Sequence, residues 1–125
     1  LSVVYPVNST RSLVELIGPA AAKRLIFTAA AIDASEALRI GLVNQVVPAE
    51  ALDTEVADLV ASMLPLAPMT QAASKDLINA IADGADAEAL HRRWYGEWST
   101  SPDGVEGPTA FLQKRIPVFT WRPTD

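Results

Sequence analysis

Cysteine is absent from the 125-residue chain, and a single histidine, His91, is present. No disulfide framework or thiolate chemistry is therefore available, and a zinc site built from His and Cys ligands is excluded. Positive charge is scarce. Ten Lys and Arg stand against fifteen Asp and Glu, a formal net charge of −5. A general nucleic-acid binder needs clustered cations, so nucleic acid is not an expected partner, although Arg92–Arg93 and Lys114–Arg115 could form local basic sites. No apolar run approaches the ~20 residues of a membrane-spanning helix. The N-terminus also lacks the charged-then-apolar layout of a secretion signal. The expectation is a cytoplasmic protein that does not enter a membrane.

What is present is apolar and helical. Half of the residues are hydrophobic, mostly Ala, Leu, Val and Ile. That suits a globular helical chain of at most one domain with a thin core, and it excludes wholesale disorder. Leu1–Tyr5 reads as a strand tail bounded by Pro6. Asn8, Ser9 and Thr10 are suitable N-caps for apolar residues recurring from Leu13 to Leu25, and Gly18–Pro19 predicts a corner between two short helices. Asp33 and Glu36 have capping-box spacing, and Gly41 stands where a left-handed C-cap belongs. Leu42–Val47 can run extended to Pro48. Leu52, Val56, Leu59, Val60 and Met63 form a helical stripe ended by Pro65 and Pro68. Helices over about 70–82, with Leu77, Ile78 and Ile81 inward, and about 85–98, with Leu90, Trp94 and Trp98 on one side, complete a chain nearly without strands.

Residues 101 to 119, SPDGVEGPTAFLQKRIPVF, are the most informative segment. Pro108 is unsuited to a helix interior, so the regular helix is expected to start near Glu106–Gly107 with Pro108 in its first turn. Asp103 and Glu106 then lie near the positive end of the helix dipole and Lys114–Arg115 near the negative end. On the residues alone this is a well-terminated amphipathic helix. The segment also resembles the C-terminal run EG–x–x–AF–x–x–KR–x–P–x–F of the crotonase (enoyl-CoA hydratase/isomerase) superfamily. A second block, IFTAAAIDASEALRIGLVNQVVP over Ile26–Pro48, is similar to that superfamily's LTG–x–x–I–x–A–x–EA–x–x–x–GLV–x–x–VVP.

The resemblance implies a fold, a substrate and partners. The chain would be the C-terminal helical portion of the crotonase α/β spiral, mainly α as it stands. Residues 1–48 would end the spiral core, and 49–125 would form the helical region for oligomerisation and CoA contact. Matched to the motif, Phe111 would lie near the adenine and Lys114 near the phosphates of an acyl-CoA held by a neighbouring subunit. An aromatic face and a point-charge ammonium suit those groups, though Phe111 also reads as core. Arg115 is the weaker candidate, since successive helical residues point about 100° apart. Acyl-CoA is the implied substrate and no cofactor is implied. The implied partners are an N-terminal half of the same fold and further copies in a trimer or hexamer.

The resemblance also assigns catalysis elsewhere. Hydratases of the family use two glutamates as general acid and base on water, with two backbone N–H groups polarising the thioester oxygen. None of Glu15, Glu36, Glu50, Glu55, Glu88, Glu97 or Glu106 maps onto those glutamates, so no catalytic residue is assigned. Two departures from the family pattern concern shape. YPVNSTRSL replaces a glycine-rich turn, IPGxGGTxRL, beside the thioester. Thr28-Ala29-Ala30-Ala31 stands for a Thr-Gly, and alanine resists positive φ, so a differently shaped loop is expected after Thr28. Ser99 occupies the position where naphthoate synthases carry a tyrosine, which weighs against their ring closure.

Other residues have local explanations. His91, on the face of Trp94 and Trp98, could serve as a general base, but a half-buried helix histidine is the plainer reading. Trp94, Tyr95 and Trp98 fit an acyl pocket, a subunit contact or simple core. Lys75 needs no more than solvent exposure. The function implied is the C-terminal half of an acyl-CoA-processing enzyme that hydrates a 2-enoyl-CoA. A double-bond isomerase and a non-catalytic helical oligomerisation module are the alternatives.

Overall fold

A computed structural model describes residues 2–123. Its helices are α1 (Val7–Thr28), α2 (Ala34–Arg39), α3 (Leu52–Met63, after a 3-10 turn at Ala49–Ala51), α4 (Pro68–Ala82), α5 (Ala87–Thr100) and α6 (Pro102–Leu112). No β-strand occurs among the described residues. The chain divides into two compact units, Leu1–Glu55 and Val56–Asp125, and the division falls within α3.

In the first unit α1 is broken where the sequence predicts. Gly18 takes φ 76°, ψ 161°, so two helical runs meet at Gly18–Pro19. Its start is earlier than expected: Pro6 is the N-cap, and Asn8, Ser9 and Thr10 lie inside the first turns. Thr10 donates both its N–H and its hydroxyl to the Pro6 carbonyl (3.1 Å each), so the hydroxyl bonds back along the helix instead of capping it. Asp33 caps α2, accepting from the Glu36 N–H at 2.7 Å. The reciprocal half of the capping box is replaced, because the Glu36 carboxylate takes Arg24 (2.9 Å) and both Arg39 donors (2.6 and 2.7 Å). Arg39 foremost holds that carboxyl below its usual range, against a burial effect, with Arg24 adding to the shift.

The loop after Thr28 differs from expectation in one respect. Ala29 does enter the left-handed region, at φ 48°, as the C-cap of α1. Its N–H reaches the Leu25 carbonyl at 3.0 Å, and the Thr28 hydroxyl accepts from the Ala30 N–H at 3.3 Å. These bonds hold a conformation that costs an L-residue about 1 kcal/mol.

In the second unit α4 packs on α5 and α5 on α6. Met69, 3% exposed, is the buried anchor of α4. Asp76, about two turns further along, accepts from the Trp94 indole N–H and from Arg93, both at 3.0 Å, and Ala73 and Leu77 lie one and two turns on from Met69. The face toward α5 therefore runs through Met69, Ala73 and Leu77. Ile78, expected inward, is 64% exposed because it points about 100° round the helix from Leu77; Ile81, also expected inward, continues the Met69–Ala73–Leu77 row into the last turn of α4 yet is 67% exposed. His91 is exposed too, tilted against Tyr95 at 6.1 Å, and not half-buried as expected.

Buried hydrophobic side chains among the described residues are Ala22, Ala37, Met69 and Ala110, and no large side chain is fully enclosed. The α3 stripe forms as the spacing predicts, yet all five of its apolar residues are exposed, from 44% at Met63 to 61% at Leu59. No helix of the described residues is long and apolar enough to cross a membrane.

Candidate functional site: the end of α6 and its returning tail

The site is built from the start of α6 onward. Ser101 caps the helix by accepting from the Gly104 N–H at 3.1 Å, and Pro102 is its first residue. The helix thus begins four residues before the expected Glu106–Gly107 start and carries Pro108 in its interior. Of the two competing start signals the Ser-Pro-Asp one prevails, because it caps the helix and places Asp103 inward. Pro108 forgoes a backbone hydrogen bond and crowds the preceding turn, at a cost of about 3 kcal/mol. Gly104 permits the approach of α6 to α5, since a Cβ there would collide with the Trp98 carbonyl.

Two α6 carboxylates hold the chain that follows the helix. Asp103, 6% exposed, accepts from the Thr120 N–H (2.8 Å), the Thr120 hydroxyl (3.0 Å) and the Trp121 N–H (3.0 Å). Burial raises its pKa, but these bonds, with the Arg122 charge, outweigh burial and leave it below the usual carboxylate range. Glu106 receives the Arg115 guanidinium as a fork at 2.6 and 2.7 Å, and the Val118 N–H at 2.8 Å. Arg115 first, then Val118, bring its pKa down to about 2 against the opposing effect of burial. Trp121 completes the clamp. Its indole donates to Glu97 at 2.7 Å, and its ring meets Trp94 edge-on at 6.0 Å.

The helix itself ends in a Schellman motif. The Arg115 N–H returns to the Ala110 carbonyl at 3.0 Å and the Lys114 N–H to the Phe111 carbonyl at 3.1 Å. Lys114 occupies the left-handed position of that motif, at φ 53°. Lys114 and Arg115 are therefore not successive helical residues complementing the α6 dipole, as the sequence suggested. Arg115 is committed to Glu106, while no hydrogen bond or ion pair engages the Lys114 ammonium among the described residues. Lys114 is exposed, and Phe111 is 82% exposed and so is not core of this chain. The structure thus separates the expected CoA-contact pair, both facing outward, from an anchoring set of Asp103, Glu106, Arg115, Thr120 and Trp121. The sequence spacing gave no signal for the anchors, because partners nine to eighteen residues apart follow no helical period.

Elsewhere the chemistry-bearing residues are engaged structurally. Asp103 and Glu106 border one open cleft of ≈580 Å³, but both carboxylates bind the tail. Glu55 accepts from Gln45 at 3.2 Å, and Glu97 from Trp121. His91, Trp94, Tyr95 and Trp98 line a shallow groove of ≈170 Å³ with Met69 and Leu77. No group of three or more acidic or histidine side chains suited to a metal occurs among the described residues.

This geometry has close counterparts among known proteins. The family model described as enoyl-CoA hydratase/isomerase matches residues 3–122. A short-chain-enoyl-CoA hydratase of Clostridium acetobutylicum is 40% identical over 120 residues, 92% of this chain and 45% of its own. A crotonyl-CoA hydratase of Syntrophomonas wolfei is 36% identical over 121 residues, 95% of this chain and 46% of its own. A crystal structure of an enoyl-CoA hydratase/isomerase family member superimposes with TM-score 0.86 at 31% identity, covering 99% of this chain and 47% of that one. The chain spans about half the length of the curated relatives it matches. In sequence and in structure alike it belongs to the enoyl-CoA hydratase/isomerase family, as the helical C-terminal portion of the crotonase fold.

Proposed function

We propose that this chain is the CoA-gripping half of an acyl-CoA-processing enzyme that hydrates a 2-enoyl-CoA. In that reaction water adds its oxygen to the β-carbon and a proton is delivered to the α-carbon, through a thioester enolate. The groups that activate water and hold the enolate belong to an N-terminal half of the fold, and this chain supplies docking surface and nucleotide contacts. Lys114 serves as the cation for the CoA phosphates and Phe111 as the apolar face for adenine, in a trimeric or hexameric cytoplasmic enzyme. The observation that carries the reading is the family match over residues 3–122 by a chain spanning about half of its relatives. The Lys114 ammonium supports its assignment, since it is exposed, has no partner among the described residues, and is thus available to an anion.

The test mixes this chain with an N-terminal half and follows hydration of crotonyl-CoA. Turnover in the mixture, and none with either half alone, is the expected outcome. Isomerisation of a 3-enoyl-CoA without hydration would move the assignment to the isomerase, and CoA binding with no turnover to the non-catalytic module. In the active assembly, Lys114→Ala is expected to weaken CoA binding by about 1 kcal/mol, roughly fivefold. Unchanged affinity would remove Lys114 from the site.

A further inference from the structure

The left-handed backbone of Lys114 stands out within this chain. Three of its helix ends close with the same pair of returning bonds. At the end of α2 the Leu42 and Gly41 N–H groups reach the Ala37 and Leu38 carbonyls, and at the end of α4 Ala85 and Gly84 reach Ala80 and Ile81. At the end of α6 Arg115 and Lys114 reach Ala110 and Phe111. The left-handed residue is Gly41 in the first (φ 79°), Gly84 in the second (φ 66°) and Lys114 in the third (φ 53°). Glycine takes this conformation without steric cost, whereas a lysine does not. A lysine in such a position needs its surroundings to hold it there.

The surroundings are visible on both sides of the residue. Before it, the Schellman bonds fix the chain to Ala110 and Phe111. After it, the Arg115 guanidinium is forked on Glu106, and Glu106 also takes the Val118 N–H, closing residues 114–118 into a loop on α6. The fork is planar and bidentate, so it restrains direction as well as distance. It also pairs the Arg115 charge with a carboxylate, leaving Lys114 as the cation of the turn that has no ion pair among the described residues.

We propose that Glu106 is a positioning residue for CoA binding: through Arg115 it fixes the direction in which Lys114 presents its ammonium to the phosphates. This rests on the reading of Lys114 as a CoA contact given above. The positioning role and simple electrostatics predict opposite signs. Removing a carboxylate beside an anion site strengthens anion binding if charge alone matters. Releasing the clamp weakens it if direction matters.

The test titrates coenzyme A into the assembled enzyme by calorimetry, for the wild type, Glu106→Gln, Lys114→Ala and the double variant. Glu106→Gln is expected to weaken binding about threefold or more, and to have no further effect in the Lys114→Ala background. Tighter or unchanged binding in Glu106→Gln overturns the proposal. An equal loss in both backgrounds also overturns it, since Glu106 would then act on structure generally. If Lys114→Ala leaves affinity unchanged, the Lys114 assignment fails and the proposal with it. That outcome is distinct from the case in which Lys114→Ala weakens binding and Glu106→Gln does not. Should Glu106→Gln impair folding, Arg115→Lys retains the charge and removes the fork; a loss of affinity that disappears without Lys114 supports the proposal, and wild-type affinity refutes it.

Discussion

Asp103→Asn tests how the tail is held, because it changes one atom and almost no volume. Both carboxylate oxygens of Asp103 act as acceptors: one takes the Thr120 N–H and hydroxyl, the other the Trp121 N–H. Asparagine keeps one such oxygen. In its better orientation the amide oxygen stays with Thr120, and the NH₂ group then faces the Trp121 N–H, donor against donor. The variant thus loses one charge-assisted bond at a site only 6% exposed and weakens the two that remain. Bonds to charged groups contribute about 1.5–3 kcal/mol each, and the exposure of Thr120 lets water offset part of the loss. A destabilisation of about 2 kcal/mol follows. With a urea dependence of about 1–3 kcal/mol per molar, the midpoint falls by about 1 M. Tryptophan fluorescence is the appropriate probe, because Trp121 is tied to Trp94 and Glu97 and reports release of the tail directly. A midpoint within about 0.2 M of wild type, with an unchanged emission spectrum, would refute the account of Asp103 as the tail's anchor.

Two further outcomes follow from the same region. Glu106 has its pKa lowered from 4.5 to about 2, so its ion pair with Arg115 contributes stability that is full above 4.5 and lost as pH falls toward 2. Acid titration of tail release is expected to fall within that window, and Glu106→Gln should flatten it; an unaltered profile in the variant would disconnect Glu106 from the transition. The two α6 glycines next to the anchors should respond oppositely to alanine. Gly104→Ala drives a Cβ into the Trp98 carbonyl and should cost about 2–3 kcal/mol, whereas at Gly107 a Cβ meets the Phe119 ring at an ordinary 3.7 Å. Gly107→Ala is therefore expected to lie between neutral and about 1 kcal/mol stabilising through reduced backbone entropy, and the two thermal midpoints rank the pair. The reverse ranking would contradict the α5–α6 corner described above.

Local signals carried most of the helical reading. The Gly18–Pro19 corner, the Asp33 cap, the Gly41 turn and the helices ending before Pro65 and at Ala82 depend on residues within a turn of one another, and each formed. The failures came where two local signals competed or where the deciding partner was distant. Ser101 overrode Pro108 because Asp103 gained three bonds from two tail residues, Thr120 and Trp121, seventeen and eighteen residues away. Arg115, read as a dipole partner, is drawn off by a glutamate nine residues earlier. Ala29 adopts a backbone its side chain disfavours because the Leu25 carbonyl and Thr28 hydroxyl hold it there. In each case specific hydrogen bonds outweighed a local preference, which ranges from about 1 kcal/mol at Ala29 to about 3 kcal/mol at Pro108.

Hydrophobic periodicity marks a helix face that is to be covered, but it does not identify what covers it. The spacing predicts Ile78 and Ile81 inward, and the structure leaves them 64% and 67% exposed. The α3 stripe makes the same point with numbers. Five apolar residues at helical spacing stand between 44% and 61% exposed, so about half of their apolar surface is still open to water. Complete burial of such a side chain contributes about 1.5–3 kcal/mol. A surface covering the stripe would therefore gain about 5 kcal/mol from α3 alone, comparable to the total stability of a small domain. A partner that covered this face would, by binding the folded form, stabilise the fold of this chain as well as the assembly.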